Sequence, residues 1–289
     1  MLKEFRVIIR LFLAGLFFFP AELFSQVTEI VEELNINPNT STIRTRIKPP
    51  KGYTWIVEDP GSFGDFLVNF PLYPENFPIR DFRQIPIQKQ YNHAAVLNVD
   101  VGEKDLQQCA DAWMRLYAEY LWAKKDFDKI VFEFTSGQKL SWNDYKSGIR
   151  TTEAGEMVTF RKSAKADDSY ANFRNYLNLV FNYAGTISLD RESVSVLKDK
   201  DIRTGDLIIT PGSPGHSVFI VGRAKNYAGK MVCLLAESFM PAQDIHIIIN
   251  PLNKLISPWY ELRTSAVSIR TPRYIFKPVS IKRYYQLVE

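Results

Sequence analysis

The last third of the chain contains closely spaced short apolar segments, and this feature constrains the fold more than any other. Patterns typical of strands occur at 206–210, 217–222, 231–236, 245–249 and 266–276. The long helical patterns, in contrast, precede these segments along the chain. Helices followed by clustered strands predict an α+β domain with helices packed on a mostly antiparallel sheet.

The strongest helical pattern lies near the middle of the chain. Asp105 is the predicted N-cap, and Gln108, three residues later, would complete a capping box. At 100° per residue, one face of this helix carries Leu106, Cys109, Ala110, Trp113, Leu116, Tyr117, Tyr120 and Leu121. The pattern therefore predicts an amphipathic helix that contains Cys109 one turn after its start. A second long helix is predicted from Asp168 to about Tyr183.

The N-terminal segment is typical of an export signal. Lys3, Arg6 and Arg10 precede an apolar run at 11–20, and Ser25 provides a small residue before the expected cut. Such a run is shorter than the ~20 apolar residues that a membrane-spanning helix requires. We therefore expect residues 1–25 to be a signal peptide, the mature protein to be secreted or periplasmic, and no membrane span to remain after cleavage.

Composition and charge further limit the class of protein, its domain organisation and its partners. The 289 residues are 46% hydrophobic and 24% charged, which fits a globular protein. Residues 26–50 are polar and predict an extended lead-in, so that 51–289 would form a single α+β domain. The net charge of +4 is too small to predict a nucleic-acid partner. The basic residues at 261–289 favour terminal strands with a solvated face over a site for an anionic polymer.

Few residue types are present that could hold a cofactor. The chain has 3 His and 2 Cys, and it contains no CxxC or HExxH motif, so we predict no metal site. A glycine-rich phosphate loop is also missing, and we predict no cofactor. A glycosidase site with two catalytic carboxylates is not excluded, because spacing in the sequence does not reveal which acids lie close together in the fold.

The remaining chemistry centres on Cys109 and His216. A cysteine in the first turns of a helix is favoured as a thiolate by the helix dipole and by unpaired N–H groups. His216 follows the turn at 212–215 and opens a strand, where it could act as the base for a thiol on a facing helix.

A third polar group must orient such a histidine. Glu237, at the end of the strand Met-Val-Cys-Leu-Leu-Ala-Glu, is the first candidate, and Gln243 is the second. The three predicted catalytic residues are thus Cys109, His216 and Glu237. Gln243 and Ser213 are predicted to contact a bound ligand.

Structural interpretations compete with these roles. Cys109 shares the apolar helix face with Trp113, and cysteine is among the residue types most often buried in cores. A disulfide between Cys109 and Cys233 is a further alternative in an oxidising compartment. His246 alternates with apolar neighbours and is interpreted as a residue on a strand face.

Two stretches resemble NlpC-type cell-wall cysteine peptidases. Gly205-Asp-Leu-Ile-Ile-Thr210 and Gly215-His-Ser-Val-Phe-Ile-Val-Gly222 are similar to that family's strand, turn and histidine-strand pattern. The order of cysteine, histidine and polar residue also matches, although Gln108-Cys-Ala-Asp111 stands where the family usually has Asp-Cys-Ser/Thr-Gly. The resemblance implies a papain-like core and an enzyme that cuts the peptides of peptidoglycan.

A second resemblance covers most of the chain. It rests on 61–69, 105–116, 118–121, 214–216 and 239–243. These stretches resemble a family of secreted bacterial proteins catalogued only as a domain of unknown function (4846). This resemblance implies an exported single domain and no established activity.

Two functions follow as hypotheses. The first is a thiol hydrolase that acts on peptide or amide bonds of the cell envelope, with peptidoglycan or another envelope polymer as partner. The alternative is a non-catalytic envelope module on the same scaffold, which would bind a glycan or peptide through exposed Trp and Tyr residues beside His216.

Overall fold

The computed structural model describes residues 41–154 and 157–288. Its largest element is a nine-stranded sheet in which every strand pair is antiparallel. The strands of the described ranges are β1 (Tyr53–Trp55), β2 (His93–Val96), β3 (Val131–Glu133), β4 (Lys139–Ser141), β5 (Ile149–Ala154), β6 (Met157–Lys162), β7 (Ser193–Ser195), β8 (Leu207–Thr210), β9 (His216–Asn226), β10 (Met231–Glu237), β11 (His246–Ile248), β12 (Trp259–Tyr260), β13 (Ile269–Arg270), β14 (Ile275–Phe276) and β15 (Ile281–Tyr284).

The order in the large sheet is β2-β11-β10-β9-β8-β15-β7, with β1 beside β9 and β12 beside β10. Three two-stranded sheets, β3-β4, β5-β6 and β13-β14, lie apart from it. The α-helices of the same ranges are α1 (Ile43–Arg46), α2 (Phe63–Val68), α3 (Cys109–Ala123), α4 (Trp142–Lys146), α5 (Tyr170–Tyr183) and α6 (Thr186–Arg191). The predicted α+β class with a mostly antiparallel sheet is confirmed.

Helix α3 begins at Cys109, and the prediction that Asp105 caps it is wrong. The backbone of Gln108 is extended, and its N–H donates to Asp111 Oδ2 at 3.1 Å. The Asp105 carboxylate is used elsewhere, because its Oδ1 accepts from the backbone N–H of Ala242 at 2.6 Å. Contact with a distant loop thus removes the predicted cap, and Cys109 becomes the first helical residue.

The other long helix begins at Tyr170, two residues after the predicted start at Asp168. Ser169 Oγ, and not Asp168, accepts the N–H of Asn172 at 3.2 Å and caps α5. The segment predicted as one strand at 266–276 contains the two short strands β13 and β14 with a turn between them. The turn between β13 and β14 reverses the chain, so the two strands pair with each other and do not form one continuous strand.

The central strands are buried on both faces. Leu234 and Leu235 follow each other in β10 and belong to different apolar clusters, one beneath α3 and α5 and one on the opposite side of the sheet. Cys233 lies in the second cluster with Phe276. Cys109 and Cys233 are both free thiols, so the disulfide alternative is wrong.

The segment at 41–50 joins the domain. Within the predicted lead-in, α1 forms a helical turn, and Ile43 and Ile47 are fully buried. The predicted signal peptide and residues 26–40 lie outside the described residues. No helix in the described part of the chain has the length and apolar character needed to cross a bilayer.

Candidate active site

Three neighbouring strands bring polar residues to the same end of the large sheet. β9 begins at His216, β10 ends at Glu237, and β11 begins at His246. Because these neighbours are antiparallel, the start of β9 and of β11 lies beside the end of β10. Glu237 and His246 are directly paired in the register.

The start of α3 places Cys109 at this end of the sheet. Its side chain is within hydrogen-bonding range of the His216 ring. The first N–H groups of a helix have no carbonyl partner within it, and they carry the positive end of the helix dipole. The sulfur therefore lies where a negative charge is favoured, and Cys109 also lines a cleft.

Glu237 is fully buried and uses both of its oxygen atoms. Oε2 lies 3.1 Å from His216 Nε2, and Oε1 accepts from Arg273 Nε at 3.0 Å and from Nη2 at 2.8 Å. Burial alone would raise the pKa of Glu237. The hydrogen bond from His216, the nearby His246 and the positive charge of Arg273 together outweigh burial and hold that pKa well below its usual range, so the carboxylate stays ionised.

His216 lies between the sulfur and this carboxylate. Burial lowers the pKa of the ring, but the hydrogen bonds to Cys109 and Glu237 raise it to about 9. The ring is therefore protonated at neutral pH. Since Nε2 faces Glu237, Nδ1 is the nitrogen left for the sulfur. The structure thus brings together all three residues that were predicted to be catalytic.

Arg273 is a site residue that the sequence did not reveal. It lies in the basic C-terminal segment that was interpreted as solvated, but its guanidinium binds Glu237 and is 2.9 Å from His246 Nε2. An arginine only donates, so His246 accepts through Nε2 and donates through Nδ1 to the carbonyl of Asp244 at 2.8 Å. His246 is therefore part of the network and not merely a residue on a strand face.

Gln243 reaches the site indirectly. Its Oε1 accepts from Arg273 Nη1 at 3.3 Å, and its side chain is 1% exposed. The residue supports the arginine that holds Glu237, and its contact with a ligand stays a prediction. Ser213, the other predicted ligand contact, lines the cleft beside Cys109.

The loop after β10 holds the segment before Cys109. Ser238 Oγ lies 3.0 Å from the carbonyl of Gln107 and 2.8 Å from that of Gln243. The Ala242–Asp105 hydrogen bond joins the same two segments. These contacts between Asp105–Gln107 and 238–243 set the position of the sulfur relative to the sheet.

Aromatic rings enclose His216 on several sides. The ring centroids of Phe239, Tyr274 and Phe276 lie 5.0, 4.8 and 5.7 Å from that of His216. Tryptophans were expected to be exposed beside His216, but in the described ranges they are buried or half-buried, and none forms a ring contact with it. The surrounding rings restrict the imidazole and exclude water from one side of it.

A cleft of about 410 Å³ opens at Cys109. It is bounded by the start of α3, the end of α5, the start of α6, the loop at 212–215 and Met240. A second cleft of about 530 Å³ shares the lining residues Asp105, Leu106 and Asn182 with it, so the two clefts are neighbours. Within the part of the chain that the structure describes, no group of three or more His, Cys, Asp or Glu residues is arranged to hold a metal ion.

Comparison with known proteins identifies a family but no activity. A family model described as a domain of unknown function (4846) matches residues 43–283. Searches of curated proteins and of solved structures found no match. Because the matched residues span far more than half of its length, the chain belongs to the family described as Domain of unknown function (4846).

Proposed function

We propose that this protein is a thiol hydrolase with a papain-like, NlpC-type core, and that it cleaves peptide or amide bonds. The observation that carries the proposal is the continuous contact from Cys109 through His216 to Glu237 at the mouth of a cleft. A nucleophile, a proton carrier and an orienting group in this order are the requirements for covalent acyl transfer.

The proposed reaction has two halves. In the first, the Cys109 thiolate attacks the carbonyl carbon of the substrate, and the oxyanion accepts hydrogen bonds from N–H groups at the start of α3. Protonated His216 gives its proton to the leaving nitrogen, the C–N bond breaks, and an acyl thioester remains. In the second half, neutral His216 takes a proton from water, the hydroxide attacks the thioester, and the C–S bond breaks. The acid product leaves, and the thiolate with protonated His216 is restored.

Glu237 and Arg273 are positioning residues in this proposal. Glu237 holds His216 through Nε2 and thereby presents Nδ1 to the sulfur. Arg273 fixes the other carboxylate oxygen and keeps the acid ionised in a fully buried position. The triad therefore extends to a fourth residue from the C-terminal segment.

The location and substrate of the enzyme belong to the same proposal. The pattern at 1–25 supports export, with Gln26 as the mature N-terminus, and the resemblance to cell-wall peptidases supports peptides of the cell envelope as substrates. Intact mass of the protein isolated from the extracytoplasmic fraction would measure the cleavage site.

The experiment compares three forms of the mature chain: wild type, Cys109→Ser and Cys233→Ser. We expect iodoacetamide to alkylate Cys109 rapidly between pH 6 and 7, because protonated His216 stabilises the thiolate. Peptide fragments of peptidoglycan should be hydrolysed by wild type and by Cys233→Ser, and not by Cys109→Ser, as followed by mass spectrometry. Alkylation that occurs only above pH 8, or only after unfolding, would contradict the hydrolase and favour the alternative binding module.

A further inference from the structure

The proposed chemistry does not use Asp111, which lines the same cleft two residues after Cys109. Its side chain is buried, with 6% of the residue exposed. Oδ2 accepts the N–H of Gln108, whereas Oδ1 has no hydrogen-bond partner among the described residues. Buried polar atoms in native structures are almost always paired, so this oxygen is an acceptor that a group entering the cleft can use.

The charges around the cleft indicate what kind of group would bind there. Of the described residues that line it, Cys109, Asp105 and Asp111 are ionisable, and none is a Lys, Arg or His. Asp105 is exposed to solvent, and its Oδ1 already accepts from Ala242 at 2.6 Å and from Gln108 Nε2 at 3.1 Å, so an ion pair at this carboxylate would be weak. A ligand with a positive charge would therefore find an unused buried acceptor in Asp111, whereas no Lys, Arg or His in the lining of this cleft would pair with an anion.

We propose that Asp111 binds a primary ammonium group of the substrate and thereby selects amine-bearing amides for cleavage at Cys109. This inference rests on the proposed function and adds the substrate class to it. The ammonium could come from the α-amine of a peptide or from an amino-acid side chain, and both would meet the same carboxyl oxygen.

The burial of Asp111 is consistent with this role. Burial raises the pKa of its carboxyl to about 8, so the acid holds a proton at neutral pH in the free protein. An entering ammonium would favour the carboxylate, and the displaced proton would pass to solvent. The hydrogen bond from Gln108 to Oδ2 holds the carboxyl in place throughout.

Three affinity probes that differ in charge test the inference. They are the diazomethyl ketones of Ala-Ala with a free α-amine, of acetyl-Ala-Ala, and of acetyl-Ala-Lys. In each case the Cys109 sulfur forms a bond to the methylene carbon, the carbon gains the thiol proton, and N2 leaves. The rate of alkylation of the wild-type chain is followed by intact mass, and Cys109→Ser serves as the blank.

The variants are Asp111→Asn and Asp126→Asn. Asparagine at 111 keeps an oxygen for the Gln108 N–H, and Asp126 is a carboxylate outside the cleft that pairs with Lys129. We expect at least one amine-bearing probe to alkylate wild type about tenfold faster than the acetylated neutral probe. That advantage should disappear in Asp111→Asn and persist in Asp126→Asn. The faster of the two amine probes identifies the source of the ammonium.

A binding measurement separates this inference from the proposed function. Two variants are titrated calorimetrically, Cys109→Ala and the double variant Cys109→Ala with Asp111→Asn. The ligands are Ala-Ala amide, acetyl-Ala-Ala amide and acetyl-Ala-Lys amide. Rapid alkylation without preference for an amine would overturn the inference and leave the hydrolase proposal intact. Slow alkylation by every probe, together with amine binding that requires Asp111, would support ammonium recognition and contradict the hydrolase. Absence of amine preference in both measurements overturns the inference.

Discussion

At the scale of the residue, the charge on His216 affects both the proposed chemistry and the pH dependence of stability. Its ring touches a sulfur on one side and a buried carboxylate on the other. The sequence indicated these three residues, because the chain has only 2 Cys and 3 His and Glu237 ends a strand that follows the His216 strand. Arg273 was missed, since a basic residue in a polar segment has no pattern that distinguishes a buried ion pair from a solvated charge.

His216→Gln should change how stability depends on pH. The folded protein holds the His216 proton up to about pH 9, and the ordinary value is 6.5. The stabilising contribution is therefore complete below about pH 6.5 and is lost as the pH rises to about 9, at up to about 1.4 kcal/mol per pH unit. Glutamine still donates to Glu237 but does not titrate, so urea unfolding between pH 6.5 and 9 should show a weaker decline than in wild type.

His93→Gln is the matched control for that measurement. Burial lowers the pKa of His93 to about 4, so this residue titrates below the chosen window. The variant should retain the wild-type decline above pH 6.5. Equal slopes in wild type and in His216→Gln would contradict the assignment of the proton to His216.

At the scale of the element, the loop before β9 determines where the histidine lies. Gly215 has no room for a side chain, because a Cβ there would lie 2.7 Å from the carbonyl oxygen of Gly212 and would also meet Thr186 Oγ1. The Pro-Gly-His sequence predicted a turn but not this close approach, since Thr186 comes from a helix about thirty residues earlier in the chain.

Gly215→Ala should therefore displace His216. We expect the free energy of unfolding to fall by about 1–3 kcal/mol, as for overpacked sites, and the alkylation of Cys109 near pH 7 to slow. Gly185→Ala is the matched control in the same cleft, because a Cβ there would meet no atom within 4 Å. Both variants are measured by urea unfolding and by iodoacetamide kinetics, and equal effects at the two glycines would contradict the steric explanation.

The start of α3 illustrates the limit of prediction at this scale. Asp105 and Gln108 have the residue types and spacing of a capping box, and local propensity alone placed the helix start there. Ala242, from a loop more than a hundred residues later, binds the Asp105 carboxylate instead. As a result the helix begins at Cys109, and the sulfur lies beside the unpaired N–H groups of the first turn.

At the scale of the whole molecule, the large sheet couples two apolar clusters. β9 and β10 contribute to both, so neither cluster is complete without the same strands. Single-domain organisation over 51–289 stays a prediction. Shared strands lead us to expect that both clusters unfold in one cooperative transition.

Leu234→Ala and Leu235→Ala test this expectation on opposite faces of one strand. Both side chains are fully buried, and each truncation should cost about 2–5 kcal/mol. Near-ultraviolet circular dichroism and tryptophan fluorescence should report one transition, shifted in the same direction by each variant. Two separate transitions, each sensitive to only one substitution, would contradict coupling through the sheet.

The sequence by itself determined the α+β class, the positions of β8, β9, β10 and β11, and the identity of Cys109, His216 and Glu237 as candidate residues. Periodicity and side-chain chemistry are local properties, and they can be seen in a single chain. Only the tertiary structure decided where α3 begins, that Arg273 and His246 join Glu237, and that Asp111 is left with an unpaired oxygen in the cleft. Those features depend on which distant segments compete for the same hydrogen bonds, and that competition exists only after the chain has folded.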